Sequence, residues 1–246
     1  MKIDVLTLFP EMFADVLGTS IIGRAQKKGL FELNYVNIRD FADNKHNRVD
    51  DYPYGGGLGM IMQAQPIWNA YLALTKGLSY KPYTVYMSPQ GKTFRQSTAK
   101  RLSKKEHIII LCGHYEGVDQ RIIDTIADAE ISVGDFVLTG GEIPAMAVID
   151  ATVRLLPGVL AAEDAFSEES HFSGLLEYPQ YTRPSVWNGM EVPPVLQSGD
   201  HKRIAQWKRE NAILNTFKKR KGMLRRAKLS EKERAFVKEL ENKTEI

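Results

Sequence analysis

Up to about residue 160 the chain alternates between two hydrophobic periods. Apolar runs of strand length stand at residues 3–9 (IDVLTLF), 31–38 (FELNYVNI), 83–87 (YTVYM), 107–112 (HIIILC) and 129–138 (AEISVGDFVL). Between several of them apolar positions recur every three or four residues: 19–28 (TSIIGRAQKK), 65–75 (QPIWNAYLALT), 93–105 (TFRQSTAKRLSKK) and 119–127 (DQRIIDTIA). Short, nearly continuous apolar strands alternating with helices predict an α/β domain around a mostly parallel sheet, whose strands are covered on both faces. A further helix is predicted over 142–156. It carries Ile143, Met146, Ile149, Val153 and Leu156 on one stripe, and Pro144 in its first turn, where a missing N–H costs nothing.

Residues 160–174 (LAAEDAFSEESHFSG) break the pattern, being small, acidic and polar with no apolar period. They predict a linker. The segment 198–219 then reads as an amphipathic helix capped by Ser198 or Asp200, burying Ile204, Trp207, Ile213 or Leu214, and Phe217. A second helix is expected in 230–241, where Ser230 and Glu233 have capping-box spacing. The predicted organisation is an α/β domain over 1–160, a flexible linker over 161–173 and a small helical domain over 174–246.

Charge sharpens this division. The whole chain is only +3, but residues 201–246 hold 15 Lys and Arg against 6 Asp and Glu, a net of +9. The first 200 residues are therefore acidic by 6. A basic segment on an acidic body suggests a polyanionic partner, although a charge run alone is more often a solvated face. The single cysteine, Cys112, excludes an intramolecular disulfide and a Cys-rich metal centre, and points to a reducing compartment. The amino terminus has no signal-peptide pattern and no apolar run reaches membrane-spanning length, so a cytoplasmic protein is expected.

Three predicted strands end in unusual loops: Ser88-Pro89-Gln90-Gly91, Gly113-His114-Tyr115-Glu116-Gly117 and Thr139-Gly140-Gly141-Glu142. Ligands of open parallel sheets bind at the carboxyl ends of strands, and glycine lets a ligand approach the backbone closely. Each loop alone is a plain turn; three together favour a site. The standard phosphate fingerprints fail. A P-loop needs glycine where Tyr86 stands, and GGGLGM at 55–60 has Met60 at the last position of G-x-G-x-x-G.

The motifs DDYPYGGGLGM, SPQG, CGHYEGVDQR, SVGDFVLTGGEIPAM, DATVRLLPGVL and GLLEYPQYTRP occur in order along nearly the whole chain. Together they resemble the bacterial tRNA (guanine-N1)-methyltransferase family of the SPOUT superfamily. The resemblance implies an S-adenosyl-L-methionine-dependent enzyme that methylates N1 of guanosine 37, just 3′ of the anticodon. It implies an α/β domain with a C-terminal trefoil knot, an exception to the rule against threading. It also implies a homodimer and a helical domain that helps hold tRNA, with neither DNA nor a membrane as partner. By the same resemblance the methyl donor lies among Tyr86, Met87, Pro89, Gly113, Glu116, Val133, Gly134, Asp135, Phe136, Val137, Leu138, Gly140, Gly141 and Pro144. Gly140 and Gly141 would be small because the adenosine or neighbouring loops crowd them.

Chemistry at the base adds its own demands. Guanine N1 is protonated at neutral pH, so transfer needs a general base and a cation or donors for charge gathering on O6. The family's arginine corresponds to Arg154, which an ion pair with Asp150 one helical turn earlier would also explain. The family's linker acid aligns with Glu169, with Asp164 and Glu168 as alternatives, and a solvated acidic linker explains all three. Phosphates would meet the basic residues between 202 and 228, including Arg209, Lys218, Lys219 and Arg220, while Tyr181 and Arg183 would stack on or clamp the loop, a pair that turn packing would also explain. The five histidines lack metal-ligand spacing, so no metal ligands are expected. Magnesium assists members of that family, and no residue pattern locates it. An rRNA methylase and a non-catalytic RNA-binding protein are the competing readings.

Overall fold

The structure, a computed structural model, describes residues 1–160, 166 and 169–243. The chain divides into two compact units, Met1–Glu163 and Asp164–Ile246. Much of the expected linker, including Asp164 and Glu168, lies outside the described residues.

The first unit is built on five strands: β1 (Lys2–Thr7), β2 (Glu32–Asn37), β5 (Tyr83–Thr93), β6 (His107–Cys112) and β7 (Ala129–Ser132). The intervening pair β3 (Asp50–Asp51) and β4 (Ile61–Met62) forms a separate antiparallel ladder. The order of the five is β2-β1-β6-β5-β7 and every pairing is parallel. β6 is central, and all six of its residues are buried, as expected for a strand covered on both faces. Each buried Ile or Leu contributes roughly 1.5–3 kcal/mol. At the amino-terminal edge, the His107 Nε2 lies 2.6 Å from Asp4 Oδ2, and the Asn34 amide donates to Asp4 Oδ1 at 3.0 Å. These polar contacts join β6, β1 and β2 at the edge opposite the three loops.

Helices α1 (Glu11–Leu17), α2 (Ser20–Lys27), α3 (Ala64–Thr75), α4 (Gln96–Leu102), α5 (Gln120–Ile126) and α6 (Glu142–Val153) complete this unit. The sequence pattern misses α1, a two-turn helix that buries only Phe13 and Leu17. It also overextends α6, which ends at Val153, and buries Ala145, Val148 and Thr152 beyond the predicted stripe while leaving Ile143 54% exposed. Two strand expectations change as well. The run 129–138 pairs only to Ser132, because the Ser132 hydroxyl turns the chain: it accepts from Gly134 N–H at 3.2 Å and donates to Gly134 O at 2.8 Å. The stretch 88–91 is a bulge inside one long strand, since both Met87 and Lys92 pair with Ile131. Pro89 suits that place, having no N–H to give to a ladder.

The second unit contains the hairpin β8 (Val186–Trp187) and β9 (Met190–Glu191), the short α7 (Pro194–Gln197), α8 (His201–Arg220) and α9 (Glu231–Asn242). The hairpin turns at Asn188-Gly189, both with positive φ, a two-residue turn signal left unread in the sequence. Asp200 caps α8 by accepting from Lys202 and Arg203 N–H, and Ser230 with Glu233 forms the capping box of α9. Ile213, Leu175, Leu224 and Ala227 form the core; of the expected α8 residues only Ile213 is fully buried. Arg209 leaves the basic face: it donates to Glu233 Oε1 at 2.7 Å and to Lys228 O at 2.9 Å.

The Arg209 guanidinium, aided by the Ser230 N–H, pulls the Glu233 carboxyl from its ordinary 4.5 down to about 2. A carboxylate with a lowered folded-state value stabilises fully above its unfolded value and loses that contribution as pH falls through the folded one. Thermal unfolding followed by circular dichroism should therefore weaken between about pH 4.5 and 2, and Glu233→Gln should flatten that part of the profile.

Candidate functional site

The β5 bulge and the carboxyl ends of β6 and β7 lie side by side because β6 and β7 flank β5 in the sheet. Their loops enclose a cavity of about 250 Å³, near the lower end of small-ligand sites. Each loop is held there by a different local device.

The β5 bulge is pressed against β7. A Cβ on Gly91 would lie 2.5 Å from Glu130 C and Ile131 N, so only glycine permits the approach. Tyr86, Met87 and Pro89 face the cavity from this strand, with Ser88 and Gln90. Tyr86 is 6% exposed, and among the described residues its hydroxyl has no hydrogen-bond partner. Burial, and then the charge of Glu130, push its pKa up to about 12. The phenol therefore stays protonated across the physiological range as a donor at the cavity wall.

The β6 loop turns through Tyr115, at φ +58°, and Gly117, at φ +132°. His114 Nδ1 accepts from Tyr115 N–H at 3.0 Å, and Glu116 N–H donates to Met60 O at 3.0 Å. Gly113 and Glu116 line the cavity here. A Cβ on Gly113 would come within 2.9 Å of the Tyr86 hydroxyl oxygen.

The β7 loop crosses back over the β6 loop. His114 and Gly140 form an antiparallel bridge, and Gly141 N–H donates to Gly113 O at 2.8 Å. The two adjacent glycines are thereby explained by the protein itself. A Cβ on Gly141 would lie 2.8 Å from Cys112 Cα and 2.9 Å from Gly113 N, and one on Gly140 would strike the Glu142 carboxylate and the His114 ring. Glu142, 2% exposed at the start of α6, is anchored by the Thr7 hydroxyl, which donates to its Oε1 at 2.8 Å. Burial, with Glu142 adding to it, drives the Cys112 thiol far above its ordinary value, so this cysteine is no nucleophile.

Val133, Phe136, Val137, Leu138 and Pro144 complete the cavity with Gly140 and Gly141. Phe136 and Val137 stay largely exposed, at 56% and 81%. Of the fourteen residues expected around a donor, only Gly134 and Asp135 do not line the cavity. Val118, Gln120, Ile123, Glu130 and Ile131 line it unforeseen; their only sequence signal is adjacency to the loops. Arg154 stands half-buried at the carboxyl end of α6, and Glu169 belongs to the second unit; neither lines the cavity. Among the described residues no three His, Cys, Asp or Glu side chains converge as metal ligands, and no helix is long and apolar enough to cross a membrane.

The family model described as "tRNA (Guanine-1)-methyltransferase TrmD" matches residues 1–226. A Ruminiclostridium cellulolyticum protein is 60% identical over 220 residues, 89% of this chain and 94% of its own. An Alkaliphilus oremlandii protein is 52% identical, covering 99% of this chain and all of its own. A Bacillus subtilis protein is 49% identical, covering 98% and 99%. All three are named tRNA (guanine-N(1)-)-methyltransferase.

Proposed function

This chain belongs to the tRNA (guanine-1)-methyltransferase family, a family that implies a methyl donor and a tRNA substrate. From that premise we propose that it transfers a methyl group from S-adenosyl-L-methionine to N1 of guanosine 37 in tRNA. The observation that carries the reading is the cavity between the β5 bulge and the ends of β6 and β7, around which twelve of the fourteen motif-derived residues gather.

The lining suits the donor's chemistry. Val133, Phe136, Val137 and Leu138 offer apolar surface to an adenine, while the Tyr86 hydroxyl and Glu116 carboxylate offer polar groups to the ribose and amino-acid parts. S-adenosyl-L-methionine would supply an already activated sulfonium methyl, so the protein's task is alignment and proton management. Glu169 takes the N1 proton in this reading, with Asp164 and Glu168 as the alternatives. Arg154 stabilises negative charge on O6. The active unit is a cytoplasmic homodimer with a trefoil knot in the first domain. The β7 loop lying across the β6 loop is the local feature that supports the knot. Magnesium assists the reaction without an assigned ligand.

The second unit holds the tRNA. Lys202, Arg203, Lys218, Lys219 and Arg220 are exposed on α8, and Tyr181 and Arg183 are exposed nearby in sequence. Affinity for tRNA should fall steeply and linearly on a log–log plot against salt, whereas donor affinity should barely change. A flat salt response would remove the phosphate-binding role of α8.

Transfer of labelled methyl to tRNA transcripts with guanosine, or another base, at position 37 tests the assignment. Methyl appearing irrespective of that base, or not at all, would overturn it. Glu169→Gln should lower turnover by about 10²–10⁴-fold with donor binding intact. Full activity in that variant, with loss in Asp164→Asn or Glu168→Gln, would move the base.

A further inference from the structure

Between Lys92 and Lys105 the chain carries six Lys and Arg and no Asp or Glu, whereas the rest of the first 200 residues holds 12 Lys and Arg against 24 Asp and Glu. The stretch comprises the end of β5, the helix α4 and the turn after it. A strongly basic strip thus stands on an otherwise acidic body, and methyl transfer at the cavity gives it no task.

Local structure accounts for two of the six cations. Lys105 lies over the Tyr83 ring, 4.4 Å from its centroid, and Lys100 is half-buried and engaged. Lys92, Arg95, Arg101 and Lys104 are exposed, and among the described residues no carboxylate lies within ion-pair distance of any of them. The helix dipole favours a cation near a carboxyl end, which suits Arg101. It opposes one at Arg95, the residue before α4, so the stability of α4 does not explain that charge.

The fold arranges the four in a line. α4 buries Ala99 and Leu102 and packs on α6. Arg101 and Lys104 are neighbours on its outer side, in a turn where Lys104 N–H donates to Arg101 O at 3.4 Å. Lys92 and Arg95 stand at the other end, just past the bulge. Lys92 pairs with Ile131, and Phe94 N–H donates to Ser132 O at 2.7 Å; Ile131 and Ser132 both line the donor cavity. The strip therefore begins at the cavity rim and follows α4, about 10 Å for its seven residues. Unpaired cations strung out in this way, and not converging on a point, match a row of phosphates better than a single small anion.

We propose that Lys92, Arg95, Arg101 and Lys104 form a phosphate track that carries the backbone of the RNA substrate away from the donor cavity. The inference rests on the proposed tRNA methylation. Its test is the salt dependence of full-length tRNA binding to the full-length protein. The variant Arg95→Gln/Arg101→Gln/Lys104→Gln should reduce the slope of log affinity against log salt by about 2 to 3, and weaken binding roughly 10- to 100-fold at about 0.15 M salt. KM for tRNA should rise in step. Calorimetric donor affinity and Tm should stay near wild type, because all three side chains are exposed.

The control removes equal charge elsewhere. Arg24, Lys27 and Lys28 are exposed on or next to α2, which lies between β1 and β2, at the opposite edge of the sheet from β7. Their joint replacement by Gln should leave the slope nearly unchanged. A wild-type slope in the α4 variant would make the strip a solvated face and overturn the proposal. Equal losses in both triple variants would reduce it to overall charge and overturn it as well. Should the α4 variant lose its circular dichroism, Arg101→Gln/Lys104→Gln carries the same test, with a slope smaller by about 1.4–1.8. Failure of wild-type methyl transfer would instead strike the proposed function; the slopes come from binding alone, so the two failures are read separately.

Discussion

Arg154→Ala is expected to lower turnover of methyl transfer by about 10²–10³-fold, the cost of removing one donor that stabilises developing charge. Removing the proton from guanine N1 leaves negative charge shared with O6, and only a cation or hydrogen-bond donor present at that moment lowers the barrier. A purely structural Arg154 makes a different prediction. It sits at the carboxyl end of α6, one turn after Asp150, where a cation stabilises a helix by a few tenths to about 1 kcal/mol. In that case Arg154→Ala would lower Tm and leave turnover nearly intact. Arg154→Lys separates the two further, because it keeps the charge but loses the planar fork of donors. Single-turnover kinetics, thermal unfolding and donor calorimetry on both variants decide the matter. Unchanged turnover with a lowered Tm would end the catalytic role.

Gly141→Ala is expected to weaken donor binding by about 5- to 150-fold, from an overpacking strain of roughly 1–3 kcal/mol. Gly141 has φ −80°, open to any residue, so conformational freedom is not why it is glycine. The reason is contact: the new Cβ would meet backbone atoms of Cys112 and Gly113 at 2.8 and 2.9 Å. Backbone in the central strand cannot swing aside as a side chain can, so the β6 and β7 loops must part and the cavity between them must change shape. Gly140→Ala should be milder, since its obstacles are the side chains of Glu142 and His114. Gly222→Ala, with open space around it, is the control for general handling of the protein. Calorimetric affinity of Gly141→Ala equal to that of wild type would show that the loops do not form the donor's wall.

Local signals in the sequence located the elements well where one face is buried and the ends are chemically marked. Of the two caps read for α8, Ser198 and Asp200, it is Asp200 that serves, and Ser230 with Glu233 caps α9 as read, because a cap bonds residues only two or three positions away. The 88–91 stretch and the 129–138 run were misread for the opposite reason. Met87 and Lys92 both pairing with Ile131 is a property of two strands together, and the Ser132 turn defeats an apolar run that continues past it. Arg209 looked like a free phosphate contact because Glu233, its partner, stands 24 residues later on another helix.

The candidate site was legible as three glycine-bearing loops and, through its motifs, as a resemblance to a known family. Its lining from Val118, Ile123 and Ile131 was not, since ordinary core residues carry no mark of facing a cavity. The tandem glycines were read as crowded by adenosine or by neighbouring loops; in the protein a Cβ on Gly141 would meet the β6 end, and one on Gly140 would meet Glu142 and His114.

By itself the sequence determined the alternation of strands and helices, the caps, the basic character of α8 and the glycine-bearing stretches that line the cavity. Those properties depend on neighbours within a helical turn or along one strand. Only the tertiary structure decided that β6 lies between β1 and β5, that Thr7 anchors Glu142 across 135 residues, and that three separate loops share one cavity. Such contacts are set by how crossover connections stack their elements, and no period in the chain records which distant partner each element will meet.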